Sequence, residues 1–187
     1  AGCGAVVNMT TGGSAIMTLD QRLAAPMRFR PEMCSLNMGS MNFALYPMAA
    51  RILKWKFGWE KPFLLNSDDL VFKNTPRDIA HVLGVMGEER GARFEFECYD
   101  LSHLTMLRHF VDRGTVRPPY FVQFVFGVLG GMAAEPDTLT HLKRTAEAGI
   151  WNHCMGFFGF PGETKEEAWS SVEFLEQNKD YVHSLGF

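Results

Sequence analysis

Residues 5–13 read Ala5-Val6-Val7-Asn8-Met9-Thr10-Thr11-Gly12-Gly13, and the fold is read outward from them. Val6 and Val7 are β-branched and apolar, which suits a pleated, buried strand. The run ends in two threonines and two glycines, which supply hydroxyls, amides and a backbone that can turn sharply or approach a ligand. Buried strands that end in small hydrogen-bonding residues are where α/β proteins keep their chemistry.

The same design recurs along the chain. MCSLNM (33–38) runs into Gly39-Ser40-Met41-Asn42, and FEFECY (94–99) runs into Asp100. YFVQFVF (120–126) runs into Gly127 and Gly130-Gly131, and residues 152–158 run into Gly159 and Pro161-Gly162. Helical patterns fall between them. Thr18 caps a helix over 18–25 with Gln21 at the capping-box position, and Pro26 and Pro31 bracket the loop that follows. Thr75, Pro76 and Asp78 open a helix whose stripe is Ile79, Val82, Leu83 and Met86 and which Gly91 ends. Further helices are predicted over 102–113 and 136–148, and from a Thr164/Glu167 capping box with Ala168, Val172 and Leu175 facing the core. The basic, aromatic run 43–57 reads as a helix over the mouth or side of the domain. Residues 63–66 read as a short strand or extended segment, and 181–185 as the last strand. Strands alternating with helices predict an α/β fold with parallel strands: a partial, incomplete TIM-like (β/α) barrel of five or six core strands plus one short one.

Composition excludes several classes. The 187 residues are 47% hydrophobic, enough for one sizeable core. With 18 basic against 21 acidic side chains, the net charge of -3 offers no basic excess for nucleic acid. No apolar run approaches the roughly 20 residues that span a bilayer. No secretory signal is read, so the expected location is cytoplasmic. The cysteines Cys3, Cys34, Cys98 and Cys154 form no CxxC pair, and the last three sit in apolar strands as reduced, buried thiols. The chain starts almost directly in a core strand and stops at a strand-like run, with fewer strands than a full barrel. The expectation is a fragment, or two pieces joined.

Candidate site residues come from strand ends and alternation. Phe94, Phe96 and Cys98 take one face of their strand and Glu95 and Glu97 the other. In a barrel interior, Glu95 or Glu97 becomes a buried carboxylate that needs a partner. Asn37, Gly39, Ser40 and Asn42 cluster at a strand end, where an unpaired buried asparagine is costly and a ligand role is natural. The Gly12-Gly13 and Gly130-Gly131 turns could cradle an anion through backbone amides, or serve turn geometry alone. The six histidines show neither HxH nor HExxH, and no metal set follows from their spacing. His103, just after Asp100, is the histidine nearest a strand end.

The ordered strings VVNMTTGG (6–13), SLNMGSMNF (35–43), FEFECYDLSHL (94–104), FVFGVLGGM (124–132) and PDTLTHL (136–142) resemble the β-keto acid cleavage enzymes, over residues 5–142. The resemblance implies a (β/α)8 barrel with a divalent metal, typically zinc. The implied reaction is a retro-Claisen-type cleavage in which a β-keto acid and acetyl-CoA give acetoacetyl-CoA and a second product. By motif, Thr10, Thr11 and Gly12 would line the substrate pocket, with Asn37, Ser40 and Asn42 at the next strand end. Glu97 and Asp100 would be the catalytic acids. The implied partners are the small-molecule keto acid and acetyl-CoA, with a homo-oligomer left open. The family's HxH motif and late GLED-type segment do not occur in these residues, so the zinc is implied without ligands here. From about Lys143, GIWNHCMGFFGFPGETKEEAWSSVEFL (149–175) resembles the later barrel region of radical SAM enzymes, without their CxxxCxxC motif. The expected organisation is a partial β-keto acid cleavage barrel over 1–142 and a β/α tail over 143–187 on the same sheet. The expected function is a piece of a metal-dependent cleavage enzyme, inactive alone. The alternatives are a radical SAM piece lacking its cluster motif, or a non-catalytic or chimeric scaffold.

Overall fold

A computed structural model describes residues 4–133, 136–155 and 163–186. Cys3 and the Gly159–Pro161-Gly162 turn lie outside the described residues. In chain order the elements are β1 (Asn8–Thr10), α1 (Leu19–Phe29), β2 (Met33–Asn37), β3 (Met41–Asn42), α2 (Glu60–Leu65), β4 (Val71–Phe72) and α3 (Pro76–Val82). They continue with β5 (Arg93–Cys98), α4 (Leu101–Asp112), β6 (Phe121–Phe124), α5 (Pro136–Glu147), β7 (Trp151–Met155), α6 (Lys165–Gln177) and β8 (Ser184–Gly186). Six strands form a parallel sheet in the order β1-β2-β5-β6-β7-β8. The order has two ends, so the described strands make an incomplete barrel sheet, as the sequence predicts. No described helix is long and apolar enough to cross a membrane.

The chain divides into two compact units, Ala1–Ser40 with Phe72–Val122 and Met41–Val71 with Gln123–Phe187. In the first, Asn8 pairs with Met33, Thr10 with Ser35, Ser35 with Glu95 and Asn37 with Glu97. Registered neighbours project to the same side of a sheet. Asn8, Thr10, Ser35, Asn37, Glu95 and Glu97 therefore share one face. Cys34, Leu36, Phe96 and Cys98 share the other and are buried, as are Ile79 and Val82 of α3 and Leu107 and Phe110 of α4. In the second unit, β7 and β8 pair in parallel from His153–Ser184 to Met155–Gly186, and α6 lies between them in the chain.

Local signals hold where side chains close hydrogen-bonding rings. The Thr18/Gln21, Thr75/Asp78 and Thr164/Glu167 capping boxes all form. Five expectations are corrected. Val6 and Val7 precede β1 and are exposed, because β1 ends the sheet order and has a neighbour on one side alone. Helix α1 continues through Pro26 to Phe29 and stops where Arg30 turns left-handed at φ 49°. Residues 43–57 do not form one helix. A 3-10 turn spans Tyr46–Arg51, and beyond it Leu53 and Phe57 are exposed, so the apolar residues gather on no single helical face. Residues 63–66 are helical because the Glu60 carboxylate accepts the Lys56 and Phe57 amides at 2.7 and 3.0 Å and opens α2. Helix α6 buries no residue, so Ala168, Val172 and Leu175 do not enter a core among the described residues.

Leu36 is fully buried at the centre of the paired strands, whereas Val7 is 53% exposed. Leu36→Ala is expected to cost ~2–5 kcal/mol in urea unfolding. Val7→Ala should change stability by less than ~0.5 kcal/mol.

Candidate active site

The polar face of the first unit is built by the backbone register described above. Glu95 is buried, and its Oε2 accepts a hydrogen bond from Asn8 Nδ2 at 2.6 Å. Glu97, two residues on, is hydrogen-bonded to Ser35, and the Tyr99 hydroxyl donates to its Oε2 at 3.4 Å. Burial raises the proton affinity of Glu97, and the negative charge of Glu95 adds to this. The Ser35 and Tyr99 hydrogen bonds oppose it, and the balance stays upward. Burial also pushes the Tyr99 hydroxyl up, reinforced by the Glu97 charge.

Asn37 stands across the register from Glu97. Its side chain is buried, and Oδ1 accepts no hydrogen bond among the described residues. A buried amide oxygen without a donor costs ~1–3 kcal/mol, so it is a ready acceptor for a ligand N–H or O–H. Behind it, Asn74 ties the strand end to the start of α3. Its Nδ2 donates to the Asn37 carbonyl at 2.6 Å, and its amide donates to Ser40 Oγ at 2.8 Å. Arg22 of α1 donates to Asn74 Oδ1 at 2.8 Å and to the Lys73 carbonyl at 3.1 Å, and it lies over the Phe72 ring at 5.0 Å. Burial pulls its pKa below the usual arginine value, against the pull of Asp78.

His103 closes the arrangement from α4. It is buried, and its Nδ1 accepts the Tyr99 amide at 3.2 Å. The imidazole leaves no room for a side chain at Gly39, where an added Cβ would come within 2.5 Å of the ring. Burial lowers its pKa, opposed by Asp100 and by a hydrogen bond to the Ser40 backbone. The imidazole thus joins the ends of β2 and β5. Asp100 is the N-cap of α4: its Oδ1 accepts the Ser102 amide at 2.8 Å. Its hydrogen bonds to Ser102 hold it below the usual carboxylate range.

Of the residues expected from the sequence, Asn37, Ser40, Glu97 and Asp100 stand at the carboxyl ends of the neighbouring strands β2 and β5. Thr11 follows β1 and is buried. Its hydroxyl donates to the Ser35 carbonyl at 2.7 Å, so that proton is committed to the fold. Thr10 Oγ1 accepts the Gly12 amide at 3.0 Å. Asn42 lies in the second unit and is exposed. Sequence reasoning missed Asn8, Ser35, Tyr99, Asn74 and Arg22. The first two could have been found by extending the alternation of 94–98 to the neighbouring strands. Asn74 and Arg22 carried no signal beyond a turn and a helix.

The thiols stay chemically quiet. Cys34, Cys98 and Cys154 are free and buried, and burial pushes Cys34 and Cys154 up to about 11. Among the described residues, no three histidine, cysteine or acidic side chains come together to hold a metal ion.

Comparison with known proteins places this geometry. A family model for beta-keto acid cleavage enzymes matches residues 1–160. That match passes Leu142, so the family likeness takes in residues 143–160 and gives no support to a radical SAM reading there. The chain is 58% identical over 145 residues to a 3,5-dioxohexanoate:acetyl-CoA acetone transferase of Paraburkholderia graminis, covering 78% of this chain and 46% of that protein. It is 30% identical over 159 residues to a 3-keto-5-aminohexanoate cleavage enzyme of Acetoanaerobium sticklandii, covering 84% and 49%. It is 26% identical over 130 residues to a 3-dehydrocarnitine:acetyl-CoA trimethylamine transferase of Rhizobium meliloti, covering 68% and 34%. The chain spans about half the length, or less, of these curated relatives.

A carboxyl group whose proton affinity rises on folding makes the ionised native state less favourable. For Glu97 this cost is absent at low pH, grows as pH passes the ordinary glutamate value, and is complete above the raised native value. Glu97→Gln is therefore expected to raise the melting temperature at pH 7 by a few degrees. The two proteins should converge near pH 4, and a pH series of thermal melts reads this.

Proposed function

The chain belongs to the β-keto acid cleavage enzyme family, and from that membership we propose that it carries the proton-handling face at which the whole enzyme cleaves a β-keto acid with acetyl-CoA. The observation that carries the proposal is the pairing of half-buried Glu97, its proton affinity raised, with the donor-less amide oxygen of Asn37 across the register.

For a 3,5-dioxo acid the overall reaction balances without oxidant or reductant. C2 of the keto acid gives up a proton and bonds to the carbonyl carbon of the acetyl group, which releases the CoA thiolate. The thiolate then adds to C3, the C2–C3 bond breaks with its electron pair left on C2, C2 takes a proton back, and the C3 acyl group is the new thioester. The products are acetoacetate and acetoacetyl-CoA. Each carbon–carbon step needs a proton held or moved, and a carboxylate poised nearer neutrality does this best. Glu97 takes that role, with Tyr99 and Ser35 fixing its carboxyl group. The Asn37 oxygen accepts a hydrogen bond from a substrate hydroxyl or enol, and Ser40 holds the strand end on which it sits. Asp100 remains ionised as the cap of α4. The described residues offer no donor set that fits zinc, so no step is assigned to a metal, and we place any zinc ligands outside them.

The purified polypeptide is expected to bind 3,5-dioxohexanoate in saturation-transfer NMR, and Asn37→Leu should weaken that binding about tenfold. Zinc by elemental analysis should be well below stoichiometric, and acetyl-CoA-dependent turnover negligible. Tight stoichiometric zinc, or turnover that survives Glu97→Gln, would overturn the assignment.

A further inference from the structure

The connection that leaves β2 runs through the second unit before α3 begins, and it carries an unusual surface. Trp59 is 63% exposed, Phe57 50% and Phe63 59%. These rings form a ladder rather than a core. Phe57 and Trp59 are near-parallel at 10° with centroids 6.3 Å apart, and Phe63 meets Trp59 edge-on at 6.1 Å. Lys56 Nζ stands 5.2 Å from the centre of the Phe57 ring. Lys54 and Lys61 are exposed in the same stretch, and none of the three lysines makes an ion pair among the described residues. Residues 51–61 hold four cations, Arg51, Lys54, Lys56 and Lys61, against one acid, Glu60, a local charge of +3 in a chain of net charge -3. Glu60 is already engaged in capping the Lys56 and Phe57 amides. Arg51 is paired with Glu167 of α6 at 3.7 Å, which leaves the three lysines as the cations of this stretch without an ion pair among the described residues, and Asp68 and Asp69 belong to the next turn.

A flat aromatic platform edged by lysines fits a ligand with a π face and several anionic oxygens. Resting on the acetyl-CoA reading above, we propose that this surface is the subsite for the nucleotide end of CoA. The adenine stacks on Trp59, and the 3′-phosphate and diphosphate lie against Lys54, Lys56 and Lys61. Stacking of a base on an aromatic side chain is worth ~1–3 kcal/mol and tolerates an exposed position. Point charges on flexible stems suit phosphates that remain partly hydrated. An exposed charge contact of this kind weakens as salt rises.

The test is isothermal titration calorimetry of the whole polypeptide with CoA and with adenosine 3′,5′-bisphosphate, at low and at high salt. Both probes are expected to bind. Trp59→Ala and the double substitution Lys54→Glu/Lys56→Glu should each weaken binding tenfold or more, and high salt should do the same. Trp169→Ala, which removes another exposed indole of the second unit, should leave affinity unchanged, with circular dichroism confirming that every variant is folded. Equal CoA binding by wild type and variants overturns the subsite and leaves the family reading standing. Keto acid binding without CoA binding also overturns the subsite. CoA binding as expected without keto acid binding upholds the subsite and removes the cleavage reading instead. If the same substitutions abolish co-sedimentation with phosphatidylserine vesicles, or a self-association seen in sedimentation velocity, while CoA binding is absent, the surface serves a membrane or a second copy and the proposal falls.

Discussion

The register of three adjacent strands is the constraint on which the first unit depends. Parallel pairing sets Ser35 beside Glu95 and Asn37 beside Glu97. A shift of one residue would turn Cys34, Leu36, Phe96 and Cys98 away from the helices and put carboxylates in their place. Burial of those apolar side chains therefore selects the one alignment that also gathers Asn8, Ser35, Asn37, Glu95 and Glu97 on the opposite face. Folding free energy and site assembly have the same origin here. The polar face needs no stabilising interaction of its own to form.

Two buried groups then tighten the ends of the strands. Asn74 reaches the Asn37 carbonyl and the Ser40 hydroxyl, and Arg22 holds Asn74 in turn. His103 accepts the Tyr99 amide and packs on Gly39, where only glycine fits. Arg22 comes from α1, Asn74 from the turn before α3 and His103 from α4. They fix loop backbone rather than present chemistry, and they leave the buried Asn37 side-chain oxygen without a donor among the described residues.

These particulars show what was legible in the sequence. The alternation of 94–98 foretold which faces Glu95 and Glu97 would take, because a strand has a period of two whatever packs on it. The helix caps at Thr18, Thr75 and Thr164 were legible because each closes within four residues. Residues 43–57 and 63–66 were misread, because hydrophobic content was visible while its period was too irregular to choose between helix and coil. Arg22 and Asn74 escaped notice because they meet across about fifty positions, and no local pattern records such a meeting. The second role of Asp100, as a helix cap, was readable only once the start of α4 was placed. Family likeness extended further than the quoted motifs, to residue 160.

The buried thiols carry one more consequence. Cys34 belongs to the first compact unit and Cys154 to the second, and in both the folded environment suppresses the thiolate. An unfolded cysteine ionises near its ordinary value. Alkylating reagents at mildly alkaline pH will thus modify each position at the rate at which its own surroundings open. Modification at Cys34 and Cys98 therefore times the opening of the first unit, and modification at Cys154 that of the second, with thiols the chain already carries.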